Sequence, residues 1–396
     1  MSPIKPRTAA SVILAAWVST SAPAAPRFAN PLPAGQIPNV LTLPVPYPKG
    51  WVFLDYASDR IEIRDVGSDA RAVKGQVQAR DSTTLLVPDG RNEFYTADTV
   101  WSRFTRGTRT DYITVYDKKT LEPTGEIVLP GGKRALITAM QGMFEFTDHE
   151  RLGLVFDFTP ASSVTVVDLP GRKVLGSIDI PGCSLIFPSG ERGFFTLCSS
   201  GTMLSLKLDA QGRVIDRAES ARFNDLSDNP LFTSSTVIDG VRYFVTMRGD
   251  VQPIDGRAEI AKVLPSWPLV SPAERAAHWQ PAGWQVVTSD GHDTLYVLMQ
   301  ANAHEGTQKD PSQEVWVYDV RSHRRIRRLH LVRPGASIAL THADQPLLVV
   351  QSYVASKKGG ELGDGRIDVY DPRSGALLRS LNTPGFHTRM LIEPVR

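Results

Sequence analysis

Ile113–Asp117 reads ITVYD, a short alternating apolar run closed by an aspartate, and this pattern recurs along the chain. The other copies are IEIRD ending at Asp65, VTVVD at Asp168, LSLKLD at Asp209, VQPID at Asp255, VWVYD at Asp319 and IDVYD at Asp371. The seven copies follow at spacings of 52, 51, 41, 46, 64 and 52 residues. Period-two alternation of Ile, Val and Tyr marks strands with two distinct faces. The aspartate ends each strand because its carboxylate can accept backbone N–H groups of the turn that follows. LSLKLD and VQPID are the weakest copies, and Pro253 makes the latter an unusual strand because proline gives no N–H to a ladder.

Outward from each copy the pattern is the same. A turn such as Pro372–Gly375 or Ala210–Gly212 reverses the chain, and an apolar strand returns, as in GSIDIPG (Gly176–Gly182). Ahead of several copies lies another strand pair, as in TLLVPDGRNEFYTA (Thr84–Ala97) and SIALTHADQPLLVVQS (Ser337–Ser352). Two hairpins make four strands, and about 40–50 residues per four-stranded unit is the period of a β-propeller. The expected fold is all-β: a seven-bladed β-propeller of four-stranded antiparallel blades over residues 25–396. A pair of β-sandwiches is the competing architecture. One helix is expected, after Ser271 as N-cap, with Pro272 in its first turn and Glu274 completing a capping box. That insertion and the loop from Asn302 to Gln313 account for the longest spacing, and insertions on a rigid scaffold tend to carry function.

Lys plus Arg number 44 and Asp plus Glu 42, so a net charge of +2 points to neither a nucleic acid nor an acidic membrane surface as partner. Lys5 and Arg7 precede an apolar stretch, Ala9–Val18, and the small-residue site Ala22-Pro23-Ala24. Residues 1–24 therefore read as a cleaved secretory signal, with a buried helix as the alternative. The stretch is too short to span a bilayer, and a soluble, exported mature protein is expected. Export places Cys183 and Cys198 in an oxidising compartment, where a pair is expected to be a disulfide. The intervening SLIFPSGERGFFTL reads as a hairpin that brings its ends together; two buried free thiols are the alternative.

No catalytic constellation is legible. The histidines (His149, His278, His292, His304, His323, His330, His342 and His387) show no zinc-site spacing, and each reads as a surface or loop residue. Nucleophile elbow, phosphate loop and dinucleotide fingerprint are missing as well. Two segments stand out. DTVWSRFTRGTRTDY (Asp98–Tyr112) reads as a loop interrupting a blade, with Trp101, Arg103, Phe104, Arg106 and Arg109 as an interface set. The alternative is a solvated loop with an internal Arg–Asp111 pair. In Trp279–Trp284 (WQPAGW), two tryptophans around a turn read as a packing element rather than a partner-facing one.

Several stretches resemble the heavy chain of the tryptophan tryptophylquinone amine dehydrogenases. They are SRFTRGTRTDYITVYD (Ser102–Asp117), FTPASSVTVVD (Phe158–Asp168), the PGC to IFP run (Pro181–Pro188), ERAAHWQPAGWQ (Glu274–Gln285) and EGTQKDPSQEVWVYD (Glu305–Asp319). The last looks more like the aromatic amine branch than the methylamine branch. The resemblance implies a periplasmic seven-bladed propeller, paired with a small cysteine-rich light chain in a heterotetramer of two heavy and two light chains. It implies that the quinone and the catalytic base belong to the light chain, so no catalytic, cofactor-binding or metal residue is expected here. It also implies a single heavy-chain disulfide at the positions of Cys183 and Cys198, oxidative deamination of a primary amine to an aldehyde and ammonia, and a blue copper protein as electron acceptor. Ungapped comparison back from Arg103 places Asp81 where the family has an aromatic residue lining the amine's path. An anionic side chain there would attract an ammonium group or turn to solvent. A non-catalytic periplasmic propeller that binds or scaffolds is the second reading, and an independent hydrolase or metal-dependent lyase the third.

Overall fold

The computed structural model describes residues 42–56, 59–68, 72–80, 82–355, 362–383 and 391–396. The signal segment 1–24 and Asp81 lie outside the described residues. The fold is an all-β propeller of four-stranded antiparallel blades. The second blade comprises Thr84–Leu86, Glu93–Arg103, Arg106–Asp117 and Pro123–Leu129. The third comprises Phe144–Thr147, Leu152–Asp157, Ser163–Asp168 and Lys173–Asp179, and the fourth Cys183–Ser189, Gly193–Cys198, Met203–Leu208 and Val214–Glu219. The fifth holds Leu231–Ile238, Val241–Thr246 and Asp250–Asp255, with an outer strand split into Lys262–Val263 and Trp267–Pro268.

The first blade closes the structure. Its inner strand is the C-terminal segment Leu391–Pro394, laid antiparallel on Trp51–Asp55, which is followed by Arg60–Asp65 and Val73–Gln78. Gln285 secures this strand from the side. Its amide donates to the Ile392 carbonyl at 3.0 Å and accepts the Ile392 N–H at 2.9 Å, in a buried setting.

The count of separate blades differs from the expected seven. Among the described residues, five blades stand apart and a sixth sheet has eight strands. The physical reason is one long strand, Arg324–Leu340. Its first part pairs with Ser312–Asp319 and its last part with Leu348–Ala355, so no loop separates the two halves of that sheet. Arg333, midway along it, donates to the buried Asp368 on the far half, Nε to Oδ2 at 2.9 Å.

All seven repeat aspartates do what their position predicts. Each accepts a backbone N–H two or three residues on: Gly67 to Asp65, Lys119 and Thr120 to Asp117, Gly171 to Asp168, Gln211 to Asp209, Arg257 to Asp255, Ser322 to Asp319, and Arg373 and Ser374 to Asp371. These N–H groups hold the carboxyls of Asp117 and Asp371 below their ordinary range. The weak copy VQPID is a true strand, and Pro253 explains its irregular neighbour. Lacking an N–H, Pro253 cannot continue the outer ladder, which breaks after Leu264. The Gln252 amide takes over, donating to the Leu264 carbonyl at 2.7 Å.

Burial grades outward. Leu152–Asp157, a second strand, is buried throughout, whereas the outer strand Val214–Glu219 is half-buried or exposed. Blades meet through aromatic contacts, such as Phe187 against Phe244, edge to face at 5.0 Å. Cys183 and Cys198 face each other across the first hairpin of the fourth blade and form the disulfide. The helix is Pro272–Ala276, with Ser271 and Glu274 forming the reciprocal capping box.

Two predictions follow from these contacts. Gln285→Met keeps volume but strands the Ile392 N–H and carbonyl in the interior, a cost of about 2–4 kcal/mol. Urea unfolding should show that loss, and amide exchange in Leu391–Pro394 should quicken; unchanged exchange there would refute the role assigned to Gln285. Asp157 is buried beside Thr165, which donates to it at 2.6 Å, and burial pushes its carboxyl up to about 6. Its folded pKa exceeds the unfolded one, so the protonated form's advantage is complete below about 4 and is lost as pH rises through about 6. The full span is worth up to about 3 kcal/mol. Asp157→Asn should therefore melt higher relative to the parent at pH 7.5 than at pH 4.5, and parallel pH profiles would contradict this.

Candidate functional site

The segment read as a loop, Asp98–Tyr112, is the outer half of a β-hairpin. The strands Glu93–Arg103 and Arg106–Asp117 stay paired past the blade, with Thr99 opposite Asp111 and Trp101 opposite Arg109, and after a one-residue register shift Arg103 opposite Arg106. Alternating Thr, Val and Trp carry the strand outward, and Gly107, at φ 98°, permits the turn. The Thr108 N–H donates to Ser102 Oγ at 3.0 Å across it.

A buried polar knot anchors the base. Asp111, 1 % exposed, accepts from Thr99 Oγ1 at 2.7 Å, Arg109 Nε at 2.9 Å, Arg109 Nη2 at 3.0 Å and the Arg134 N–H at 3.0 Å. Arg134, itself buried, donates to the Ser82 carbonyl at 2.5 Å and to Thr99 Oγ1 at 3.2 Å. Burial holds the Arg134 guanidinium below its ordinary range, with Asp98 and Asp111 opposing that shift. A charge cluster left half-paired here would be costly, so the knot holds the hairpin rigid.

The expected interface residues divide on this frame. Arg109 is committed internally to Asp111, as the alternative reading had it. Arg103, Phe104 and Arg106 are exposed at the tip, and Trp101 is half-buried. Phe104 is 77 % exposed, with the Arg80 guanidinium 5.8 Å from its ring centre. Beneath the hairpin runs a groove lined by Arg80, Thr99, Val100, Trp101, Leu136 and Ile137, among others. Leu136 and Ile137 are each 44 % exposed. Sequence reading missed this pair, because two aliphatics in a connecting segment carry no signal until the fold sets them beside the hairpin. Apolar surface gathered in one place, with arginines at its rim, is the composition of a protein-binding face.

The tryptophan segment faces inward. Trp279 packs on Trp316 with ring centres 5.1 Å apart, and Arg328 lies 4.6 Å from the Trp279 ring centre. The Trp284 N–H donates to the Ala336 carbonyl at 2.6 Å, which delivers Gln285 to the closing strand.

A second feature is the axial cavity, bounded by inner-strand residues such as Glu145, Ser235, Ser289, Leu340 and Glu393. Its volume is about 490 Å³. Burial pushes the Glu145 carboxyl up to about 7 and raises that of Glu393. Burial also lowers the Arg242 guanidinium to about 10. His342 lines the same cavity, its imidazole lowered first by burial. None of these residues was legible as a set, since they come from six strands and a following turn far apart in sequence. Among the described residues, no group of three His, Cys, Asp or Glu side chains is placed to hold a metal ion, and no helix is long and apolar enough to cross a membrane.

Comparison with known proteins agrees with this architecture. The solved structure of a dihydro-heme d1 dehydrogenase, NirN, superposes with a TM-score of 0.53 at 13 % identity, covering 91 % of this chain and 78 % of that one. The β-propeller domain of Cps50 (Swd1) from Myceliophteria thermophila superposes with a TM-score of 0.51 at 10 % identity, covering 80 % and 94 %. At such identities the likeness concerns the fold alone. Sequence relatives are closer. The methylamine dehydrogenase heavy chain of Methylorubrum extorquens is 29 % identical over 322 residues, 81 % of this chain and 75 % of that one. The heavy chain of Paracoccus versutus is 29 % identical over 294 residues, 74 % and 66 % of the two chains. Residues 63–388 match the family model of the methylamine dehydrogenase heavy chain. With that match running from the first blade almost to the closing strand, the chain belongs to the methylamine dehydrogenase heavy chain family.

Proposed function

We propose that this chain is the periplasmic heavy subunit of a quinoprotein amine dehydrogenase, exported by way of residues 1–24. In this reading the eight-stranded sheet counts as two blades, giving seven, each with its turn aspartate. The chain pairs with a cysteine-rich light chain in a two-heavy, two-light assembly. The tryptophan tryptophylquinone is built from the light chain's own tryptophans, so this chain need not ligate it. A primary amine and water would become an aldehyde and ammonia, the two electrons and two protons released being taken by the light chain's quinone, the chemistry that group would supply, with the electrons passing onward to a blue copper protein. The chain's own part is to bind, orient and exclude water around that chemistry.

The observation that carries this reading is the rigid hairpin beside an exposed apolar groove, on a chain of the heavy-chain family. Phe104 and Trp101 serve as aromatic anchors, with Arg103 and Arg106 on the rim; Arg109 acts indirectly, through Asp111. Asp81 lies in sequence between Arg80 and Ser82, both of which line the groove. We assign it to the amine's path, where a carboxylate would attract an ammonium group. The aromatic amine branch rests on Glu305–Asp319 alone, and the aligned relatives are methylamine dehydrogenase heavy chains, so the substrate class proposed is a primary amine and no narrower.

Co-expression with the neighbouring light-chain reading frame tests the proposal. The two chains should co-purify and reduce a dye only when an amine is present, with the heavy chain inactive alone. Turnover by the heavy chain alone, or a monomer with no such partner, would favour the other readings. Phe104→Asp should weaken light-chain capture by about tenfold or more, the loss expected for a buried aromatic anchor, with the heavy chain's melting temperature unchanged. Asp81→Phe should shift KM for the amine and leave assembly intact; an unchanged KM would remove Asp81 from the path.

A further inference from the structure

The axial cavity holds an uncommon arrangement of charge. Glu145 and Arg242 both line it. Each feels the other's charge, yet among the described residues neither forms an ion pair, whereas Glu393 and Arg396 in the same cavity pair with each other at 3.7 Å. Glu145 Oε1 accepts the Gly142 N–H at 3.2 Å, and among the described residues no side chain or backbone group donates to Oε2. Arg242 donates from Nη1 to Ser235 Oγ at 3.0 Å and lies 5.2 Å from the Phe187 ring centre. Its Nε–H is buried and has no acceptor.

A half-buried carboxylate and a half-buried guanidinium lining one cavity would ordinarily close on each other, because a charge taken out of water without a partner is costly. Here each is held by its own neighbours instead. Glu145 sits on the inner strand of the third blade, tied down by Gly142, and Arg242 at the start of a second strand in the fifth, tied down by Ser235 and stacked on Phe187. A single ligand carrying both charges would answer both groups at once. A simple ammonium would satisfy Glu145 and meet Arg242 as a repelling neighbour, and a simple carboxylate would do the reverse.

We propose that the axial cavity is a binding site for a small zwitterionic amino-carboxylate, its ammonium on Glu145 and its carboxylate on Arg242 and Ser235. The volume suits such a molecule with its water. The site lies wholly within this chain and does not depend on the light chain or on amine oxidation.

Calorimetric titration of the full chain, without the light chain so that no quinone consumes amine, tests this at pH 8, where Glu145 is ionised. The probes are 4-aminobutanoate, butylammonium and butanoate. The zwitterion should bind at least about tenfold more tightly than either singly charged probe. Glu145→Gln and Arg242→Gln should each remove about tenfold or more of that affinity, with the melting temperature as the check on folding. Glu145→Gln loses charge but not volume, so it reports even where Arg242→Gln fails to fold. Equal affinity for butylammonium and 4-aminobutanoate, no binding of any probe, or full affinity in Glu145→Gln would each overturn the assignment.

Discussion

The structure depends on one strand pairing. Four residues at the C-terminus, Leu391–Pro394, complete the blade that the N-terminal part of the chain begins. Every other blade draws its strands from one continuous stretch, so this pairing alone converts a row of sheets into a ring. Four residue pairs are a short ladder, and the interior amide of Gln285 supplements it with two hydrogen bonds to Ile392. The insertion carrying Trp279 and Trp284 earns its length by bringing that amide to the closing strand.

A closed ring of rigid sheets permits two kinds of function, and the chain shows the groundwork for both. At the rim, a hairpin can project without collapsing if its base is over-determined, and the knot of Asp111, Arg109, Thr99 and Arg134 does this. Arginines of similar sequence context thereby take different positions: Arg109 is consumed in holding the hairpin, while Arg103 and Arg106 stay exposed at its tip. On the axis, inner strands from separate blades face one small volume, and side chains anchored on different blades cannot all relax toward one another. Glu145 and Arg242 stay apart for that reason, and burial moves both away from their ordinary ionisation.

Much of the fold was legible in the sequence because its signals are local. An aspartate two or three residues before the N–H groups it accepts needs no tertiary context, and all seven turns form as their spacing implied. The cysteine hairpin and the capping box at Ser271 are equally local. The misreadings were failures of context. Asp98–Tyr112 looked like a loop because its arginines and glycine suggest exposure, yet exposed residues extend a strand whenever a partner strand accompanies them. The absence of a loop between the last two four-stranded units was invisible because Arg324–Leu340 alternates too weakly to show where one ladder hands over to the next.

The sequence by itself determined the repeat, the turns, the disulfide and the family, since each rests on residues close in the chain or on a long run of matched positions. Only the tertiary structure decided which of these arginines is committed and which are exposed, where Leu136 and Ile137 gather, and that Glu145 and Arg242 line one cavity. Those properties are set by distances between residues on different blades, and such distances exist only once the ring has closed.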